Sequence, residues 1–486
     1  MIVRDESHNL AECVGPVRDL FDEIVIVDTG SVDNTRDLAK ELGAKVVDFP
    51  WCDDFGAARN ASLDNATGDY IFWLDADDRI DAANREQLAQ LFASLDETPT
   101  AYVMATHCHF WHASMPVRKV THARLFPNHP EARYVYRVHE QILPQLQKYG
   151  CQIEHTGIVI DHVGYKDEAT HNRKALRDLR LVKMDYAAHP DDPIVLFELG
   201  ITYLRMEHHN DGLMYLLRSL KVITKAEDWV RKLYLSIVTT LVRLGRSAEA
   251  NSMALQGLQN FPYDASLLME YASLALTGGD YIGAEQALRR VLSRRDTNHL
   301  SLAEPVAGVE QDARRNLATV YRMQGRLAEA EQILQQLLAD EPEYTWGWLS
   351  LGYLYLQRGH LEQAKLTARR LERCPLGTAY ALCLLAEVDK TEGRYTAALN
   401  NLTKAREVAP QLPLVRIVRL ETVVAMQAGL EDVAIAAHEV LQVDPSNEAA
   451  RQVMAEIQAA QTQSQLRSAL TSSIAFDSSM RIPTYT

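Results

Sequence analysis

Two aspartates one residue apart, Asp75 and Asp77 in Trp73-Leu74-Asp75-Ala76-Asp77-Asp78, close an apolar run that begins at Tyr70. Alternate side chains of an extended chain share a side, so both carboxylates face one way with the Ala76 methyl between them. Carboxylates so placed repel each other and hold a hard divalent cation, Mn2+ or Mg2+, which can bridge the oxygens of a diphosphate. Taken alone the pair also describes a solvated acidic turn, and it is the surrounding residues that argue for a ligand. Asp28 ends the run Ile24-Val25-Ile26-Val27 and leads into Thr29-Gly30-Ser31, where its carboxylate can accept a hydrogen bond from a nucleobase N–H or a ribose hydroxyl. Thr29 is counted with it on the donor side. Arg59, in Ala57-Ala58-Arg59-Asn60, offers a guanidinium to the base edge or the diphosphate. Arg124 adds positive charge near the same diphosphate, and His162, after an apolar strand, is a third metal ligand or a diphosphate contact. His107, His109 and His112 invite a zinc reading, but no nearby acidic or cysteine partner completes a tetrahedral set, so they are expected to line an acceptor cleft or the surface.

The elements that must carry these residues alternate. Ile24–Val27, a polar helical stretch from Asp33 to Leu42, and Ala44–Val47 read as strand, helix, strand, the spacing of an α/β domain with a mainly parallel sheet. Tyr70–Leu74 reads as a strand buried on both faces, which puts Asp75 and Asp77 at the carboxyl edge where open α/β sheets bind ligands. Ser7 and either Asp33 or Asn34 are expected to cap helices. Beyond about residue 165 the strand signals stop and helix follows helix. Tyr321, Gly325 and Ala330 return as Tyr355, Gly359 and Ala364, an offset of 34, and Gly393 and Ala398 lie 34 further on. Gly245 and Ala250 repeat as Gly279 and Ala284 at the same offset of 34. With Trp348, Leu351, Gly352 and Tyr355 this pattern resembles the tetratricopeptide repeat, and it implies a superhelix of roughly seven repeats over about 191–460. Pro342, Pro375, Pro410 and Pro445 stop the second helices. Residues 298–312 read as an insertion, 166–190 as a linking helix and 461–486 as a flexible tail.

Taken in order, the opening Met-Ile-Val-Arg-Asp-Glu, the Val-Asp-Thr-Gly-Ser-x-Asp-Asn-Thr around Asp28, the Ala-Ala-Arg-Asn around Arg59 and the Trp-Leu-Asp-Ala-Asp-Asp around Asp75 resemble the nucleotide-diphospho-sugar domain of family 2 glycosyltransferases, the GT-A fold, over residues 1–165. The resemblance implies inverting transfer of a sugar from a nucleotide diphosphate donor, here a UDP-sugar. The family has a few more apolar residues ahead of Met-Ile-Val, which predicts a clipped first strand. The Glu-Asp pair of many members is absent, and Arg137-Val138-His139-Glu140-Gln141 resembles the His-Glu segment of the repeat-bearing members. It implies Glu140 as the base, with His139 beside it; the bland alternative is that Glu140 ties down a loop. Asp28-Thr29-Gly30-Ser31 also spells the aspartic-protease tetrad, but it runs into a helix and has no second copy.

Composition bounds the rest. With 486 residues, 47% hydrophobic and 24% charged, the chain holds roughly three domains of folded material. Acidic side chains outnumber basic ones, 65 to 50, for a formal charge of -15, which excludes a general nucleic-acid binder. The 6 cysteines form no paired motif, as in a reducing cytoplasm, and no apolar run approaches the ~20 residues of a membrane span. The expected partners are a nucleotide sugar and a peptide or protein acceptor held partly by the repeats, with a separate partner or a second copy of the chain as other occupants. The competing functions are transfer to a cell-surface polysaccharide or lipid-linked acceptor, and a non-catalytic repeat scaffold with a remnant GT-A domain.

Overall fold

The computed structural model of the chain describes residues 1–109, 118–164, 168–224, 227, 229–293 and 308–462. His112, the first part of the expected insertion and most of the expected tail lie outside them. The remainder of that insertion is ordinary helix, the start of α13 (Val309–Met323).

The amino-terminal α/β domain has two sheets. In the first, β1 (Ile2–Val3), β2 (Val25–Asp28) and β3 (Lys45–Asp48) run parallel in the order β1-β2-β3. Helices α1 (Ser7–Val14), α2 (Thr35–Glu41) and α3 (Phe55–Asp64) follow the three strands in turn. Val3, Leu10, Val14, Ile26 and Ala39 form the core between sheet and helices. The start of α2 is as expected, with Asn34 at the cap position and Asp33 supplying the side-chain bond, whereas the start of α1 differs. Ser7 lies inside α1, and Asp33 serves both helix starts, accepting from the backbone N–H of Ser7 and of Thr35. Asp54 and Asp81 are the caps proper of α3 and α4 (Ala82–Ala93), each accepting a backbone N–H three residues on.

The second sheet, ordered β4-β7-β6-β8-β5, is mixed. Its members are β4 (Tyr70–Phe72), β5 (Asp78–Arg79), β6 (Thr100–Cys108), β7 (Arg118–Pro127) and β8 (Gln152–His162), and α5 (Leu143–Tyr149) precedes β8. β6 and β8 are parallel, while β4–β7, β6–β7 and β5–β8 are antiparallel. The expected mainly parallel sheet thus holds for β1 to β3 alone. The apolar run from Tyr70 is an edge strand, half-buried over Tyr70–Phe72. Its continuous hydrophobicity is spent differently: Phe72 stacks with Phe21 and meets Phe92 edge-on, and Trp73 leaves the strand for the site described below.

A 21-residue helix, α6 (Glu168–Ala188), is followed by fifteen helices, α7 (Pro193–Arg205) to α21 (Glu448–Thr462), among the described residues. They pair in sequence, and the period of 34 has a plain steric cause. Gly245, Gly279, Gly325, Gly359 and Gly393 each take a positive φ, 70 to 80°, at the turn between paired helices, a conformation that costs other residues about 1 kcal/mol. The alanine five residues on from each of these glycines is at most 1% exposed, letting the helices approach. The chain divides into two compact units, one holding Met1–Phe261 and the other beginning at Pro262. Helices α6 to α10 (Ser247–Asn260) therefore belong with the α/β domain, whereas sequence patterning alone places the change at residues 165–190.

Candidate functional site

The turn that ends β4 ties itself together: the Asp75 N–H donates to the Asp78 carboxylate at 2.9 Å and the Asp78 N–H to the Asp75 carbonyl at 3.0 Å. Asp78 then opens β5, whose antiparallel register sets it opposite His162 on β8. As a result His162 Nδ1 lies 3.0 Å from Asp78 and 3.4 Å from Asp77. Gly164 lets the chain pass close by, since a Cβ there would sit 2.0 Å from an Asp77 oxygen. Asp75, Asp77, Asp78 and His162 each bring one ligand atom within 4.8 Å of the others, the one such group among the described residues.

The charges in this group are unequal. Burial would push the Asp75 carboxyl up, but Arg59 and then Arg124 beside it hold it well below the usual carboxylate range. Asp77 is pushed up, first by burial and then by the Asp75 and Asp78 charges, with His162 opposing. Burial would lower His162, yet its hydrogen bond to Asp78 and the neighbouring carboxylates raise it. Three carboxylates gathered within 4.8 Å of one another and of one imidazole leave negative charge that a cation would offset. The carboxylate oxygens suit Mn2+ or Mg2+, and the imidazole nitrogen favours Mn2+ of the two, so these residues fit such an ion.

Arg124 is not where it was expected. It is 1% exposed, paired with Asp78 at 2.7 Å, bonded to Thr106 Oγ1 at 3.0 Å, and stacked 3.8 Å from the Trp73 ring centroid. Its charge is used inside the protein to neutralise Asp78, the fully buried member of the acidic turn, and not at an open diphosphate position. Arg59 likewise faces inward, with Nη2 2.9 Å from Asp75 and Nε 2.5 Å from Glu140. Its guanidinium lies 4.3 Å from the Trp73 centroid on an ion pair rather than on a base edge. Trp73 thus lies against two guanidinium groups, and Arg59 joins the candidate base to the acidic turn.

Glu140 belongs to a short excursion closed by reciprocal backbone bonds between Val135 and Gln141, both 3.0 Å. Its neighbour His139 turns away from the acidic turn: Nε2 accepts from Arg205 at 3.0 Å, and Asp178 and Glu198 stand 3.9 and 3.8 Å from the ring nitrogens. These contacts give His139 a structural setting in place of the expected seat beside the base. Asp28, 2% exposed, accepts from the Gly30 and Ser31 N–H groups through Oδ1, both 3.0 Å, while its Oδ2 is buried without a hydrogen-bond partner. A buried carboxylate oxygen left unpaired is costly, and a ligand N–H or hydroxyl would satisfy it. Thr29 is committed elsewhere, its hydroxyl donating to the Val3 carbonyl at 3.0 Å. His109 has an acidic partner that sequence reading overlooked, Asp161 at 2.7 Å, with His107 at 3.9 Å from the same oxygen. Asp78 and Trp73 were also passed over as site residues, although both stand in the quoted motif; the β5–β8 register that gives Asp78 its role has no signature in the chain.

Comparison with known proteins follows the same division. A family model described as glycosyl transferase family 2 matches residues 1–157, and tetratricopeptide repeat models match 235–299 and 311–382. A tetratricopeptide repeat-containing protein of Synechococcus elongatus is 30% identical over 354 residues, covering 70% of this chain and 75% of that protein. The SPbeta prophage-derived glycosyltransferase SunS of Bacillus subtilis is 26% identical over 245 residues, 47% of this chain and 54% of SunS; the match thus spans about half of SunS. A Rickettsia conorii glycosyltransferase is 32% identical over 94 residues, 19% of this chain and 33% of that protein.

Proposed function

The chain belongs to the family 2 glycosyltransferases carrying tetratricopeptide repeats, and from that premise we propose that it moves a sugar from a UDP-sugar to a peptide or protein acceptor, inverting the anomeric carbon. The observation that carries this reading is the convergence of Asp75, Asp77 and His162 on one point, with Arg59 linking Asp75 to Glu140. Asp75, Asp77 and His162 would hold Mn2+ or Mg2+. When bound, the ion supplies positive charge to the departing diphosphate. Asp28 Oδ2 takes a nucleoside N–H or hydroxyl. Glu140, oriented by Arg59, accepts the proton of the acceptor O–H, N–H or S–H as that atom bonds to the anomeric carbon; the carbon–oxygen bond to the diphosphate breaks and UDP leaves with the electron pair. The paired helices support an extended polypeptide as acceptor. Six free thiols suit the cytoplasm as its compartment, and no helix of the described residues is long and apolar enough to cross a membrane.

Two measurements test the reading. UDP with MnCl2 should raise the melting temperature far more than either alone; a response to neither, singly or together, removes the donor assignment. Glu140→Gln should leave UDP affinity within about twofold and lower turnover by ~10²-fold. Parallel losses in both would make Glu140 a structural clamp on Arg59. Incubating host lysate with labelled nucleotide sugars, followed by mass spectrometry, identifies the acceptor: label in polysaccharide or lipid instead of protein overturns that part.

A further inference from the structure

The excursion that carries Glu140 is strained, and it is held from outside the α/β domain. Two of its residues without glycine's freedom, Tyr136 and His139, have φ of 71 and 55°. Such conformations cost about 1 kcal/mol each and persist where neighbours over-determine them. Those neighbours lie on α6 and α7, in the same compact unit. The Arg137 N–H donates to Asp185 on α6 at 2.9 Å, and the Tyr136 hydroxyl donates to Asp192, the cap of α7, at 3.2 Å. Val138 packs against Leu181, Val182 and Leu199. Arg205, near the end of α7, donates to His139 Nε2 at 3.0 Å and to Thr202 Oγ1 at 3.3 Å. Every residue from 136 to 139 is thereby engaged by α6 or α7, and the next residue is Glu140.

We propose that Arg205 and Asp185 are positioning residues for Glu140, so that the linking helix and the first helix of the repeat region complete the transfer site. The α/β domain by itself supplies one side of the excursion: the Phe55 N–H donates to the Arg137 carbonyl at 2.7 Å, and Glu140 meets Arg59. With the α7 side removed, His139 loses its hydrogen bond from Arg205 and Tyr136 its bond to Asp192, so relaxation of His139 out of its left-handed conformation becomes easier, and that rotation swings the adjoining Glu140 off Arg59. The inference rests on Glu140 being the base, and its test separates the two ideas.

The full chain is assayed for UDP release from UDP-glucose and UDP-N-acetylglucosamine, with water as acceptor, and for binding of UDP with MnCl2. Arg205→Met keeps the apolar stem and removes the donors. Asp185→Leu removes the acceptor of the Arg137 N–H and serves if the first variant melts below the assay temperature. Expected for either variant is a loss of turnover of about tenfold or more with UDP affinity within about twofold, and a further loss under about twofold when combined with Glu140→Gln, since both changes disable one group. Equal loss in the wild-type and Glu140→Gln backgrounds overturns the positioning role and leaves Glu140 as base. Full turnover in Glu140→Gln alone overturns both, whatever Arg205 does. Loss confined to UDP binding also overturns it, because Arg205 would then act on the donor side.

Discussion

At the scale of single residues, the division of labour within Asp75-Ala76-Asp77-Asp78 sets what each substitution does. Asp78 is fully buried against Arg124, so Arg124→Met leaves a buried charge with less compensation and should destabilise the fold by about 3 kcal/mol, read as a lower urea midpoint. Asp77 is the opposite case. Burial first, and then the Asp75 and Asp78 charges against the opposing His162, push its carboxyl up, so its ionised form costs stability, and the cost grows as pH rises through its raised pKa. Asp77→Asn should therefore melt no lower than the wild type in chelator, while losing the extra stabilisation that MnCl2 gives with UDP. A variant that unfolds, or that keeps the manganese response, contradicts the assignment. Asp75 and Asp77 were legible as a pair from the motif, but the extended geometry expected for them is replaced by a turn, closed by the Asp78 N–H on the Asp75 carbonyl, and it is this turn that brings both carboxylates to His162. His162 was legible as a histidine after a strand, but its meeting with Asp77 depends on strand register. Arg124 and Arg59 misled for one reason: a sequence shows a cation's presence, and not whether its charge is spent on the protein's own acids.

Elements explain how separated residues are kept in place. Helix α3 approaches the Glu140 excursion so closely that a Cβ on Gly56 would lie 2.5 Å from the Tyr136 carbonyl oxygen, a contact with backbone that cannot rotate away. Gly56→Ala should cost about 1–3 kcal/mol and lower turnover along with stability, measured by urea unfolding and UDP release on the same preparation. The repeat helices were readable down to their turns because five of the turns reuse one steric device, a glycine at positive φ followed by a buried alanine, and repetition multiplies a weak signal; the turns at Glu207 and Gln427, which take positive φ without glycine, carry no such mark. The second sheet was not readable. Tyr70–Leu74 is as apolar as a central strand, but three aromatic rings account for that, and the antiparallel pairing of β4 with β7 arises from contacts more than fifty residues apart.

For the whole molecule, the compact unit ends at Phe261, well inside the repeats. A fragment of residues 1–261 should bind UDP with MnCl2 and release UDP from a UDP-sugar at a rate near that of the full chain. A cut near residue 190 removes Asp192 and Arg205, and should keep UDP binding while turnover falls by about tenfold. Equal turnover in the two fragments would show that α7 contributes nothing to the site. Because α7 to α10 travel with the α/β domain, the junction at Pro262 also marks a seam for exchange: chimaeras that take their repeats from a relative beyond that point inherit an intact transfer centre, and repeat number can drift there over evolution without cost to the chemistry upstream.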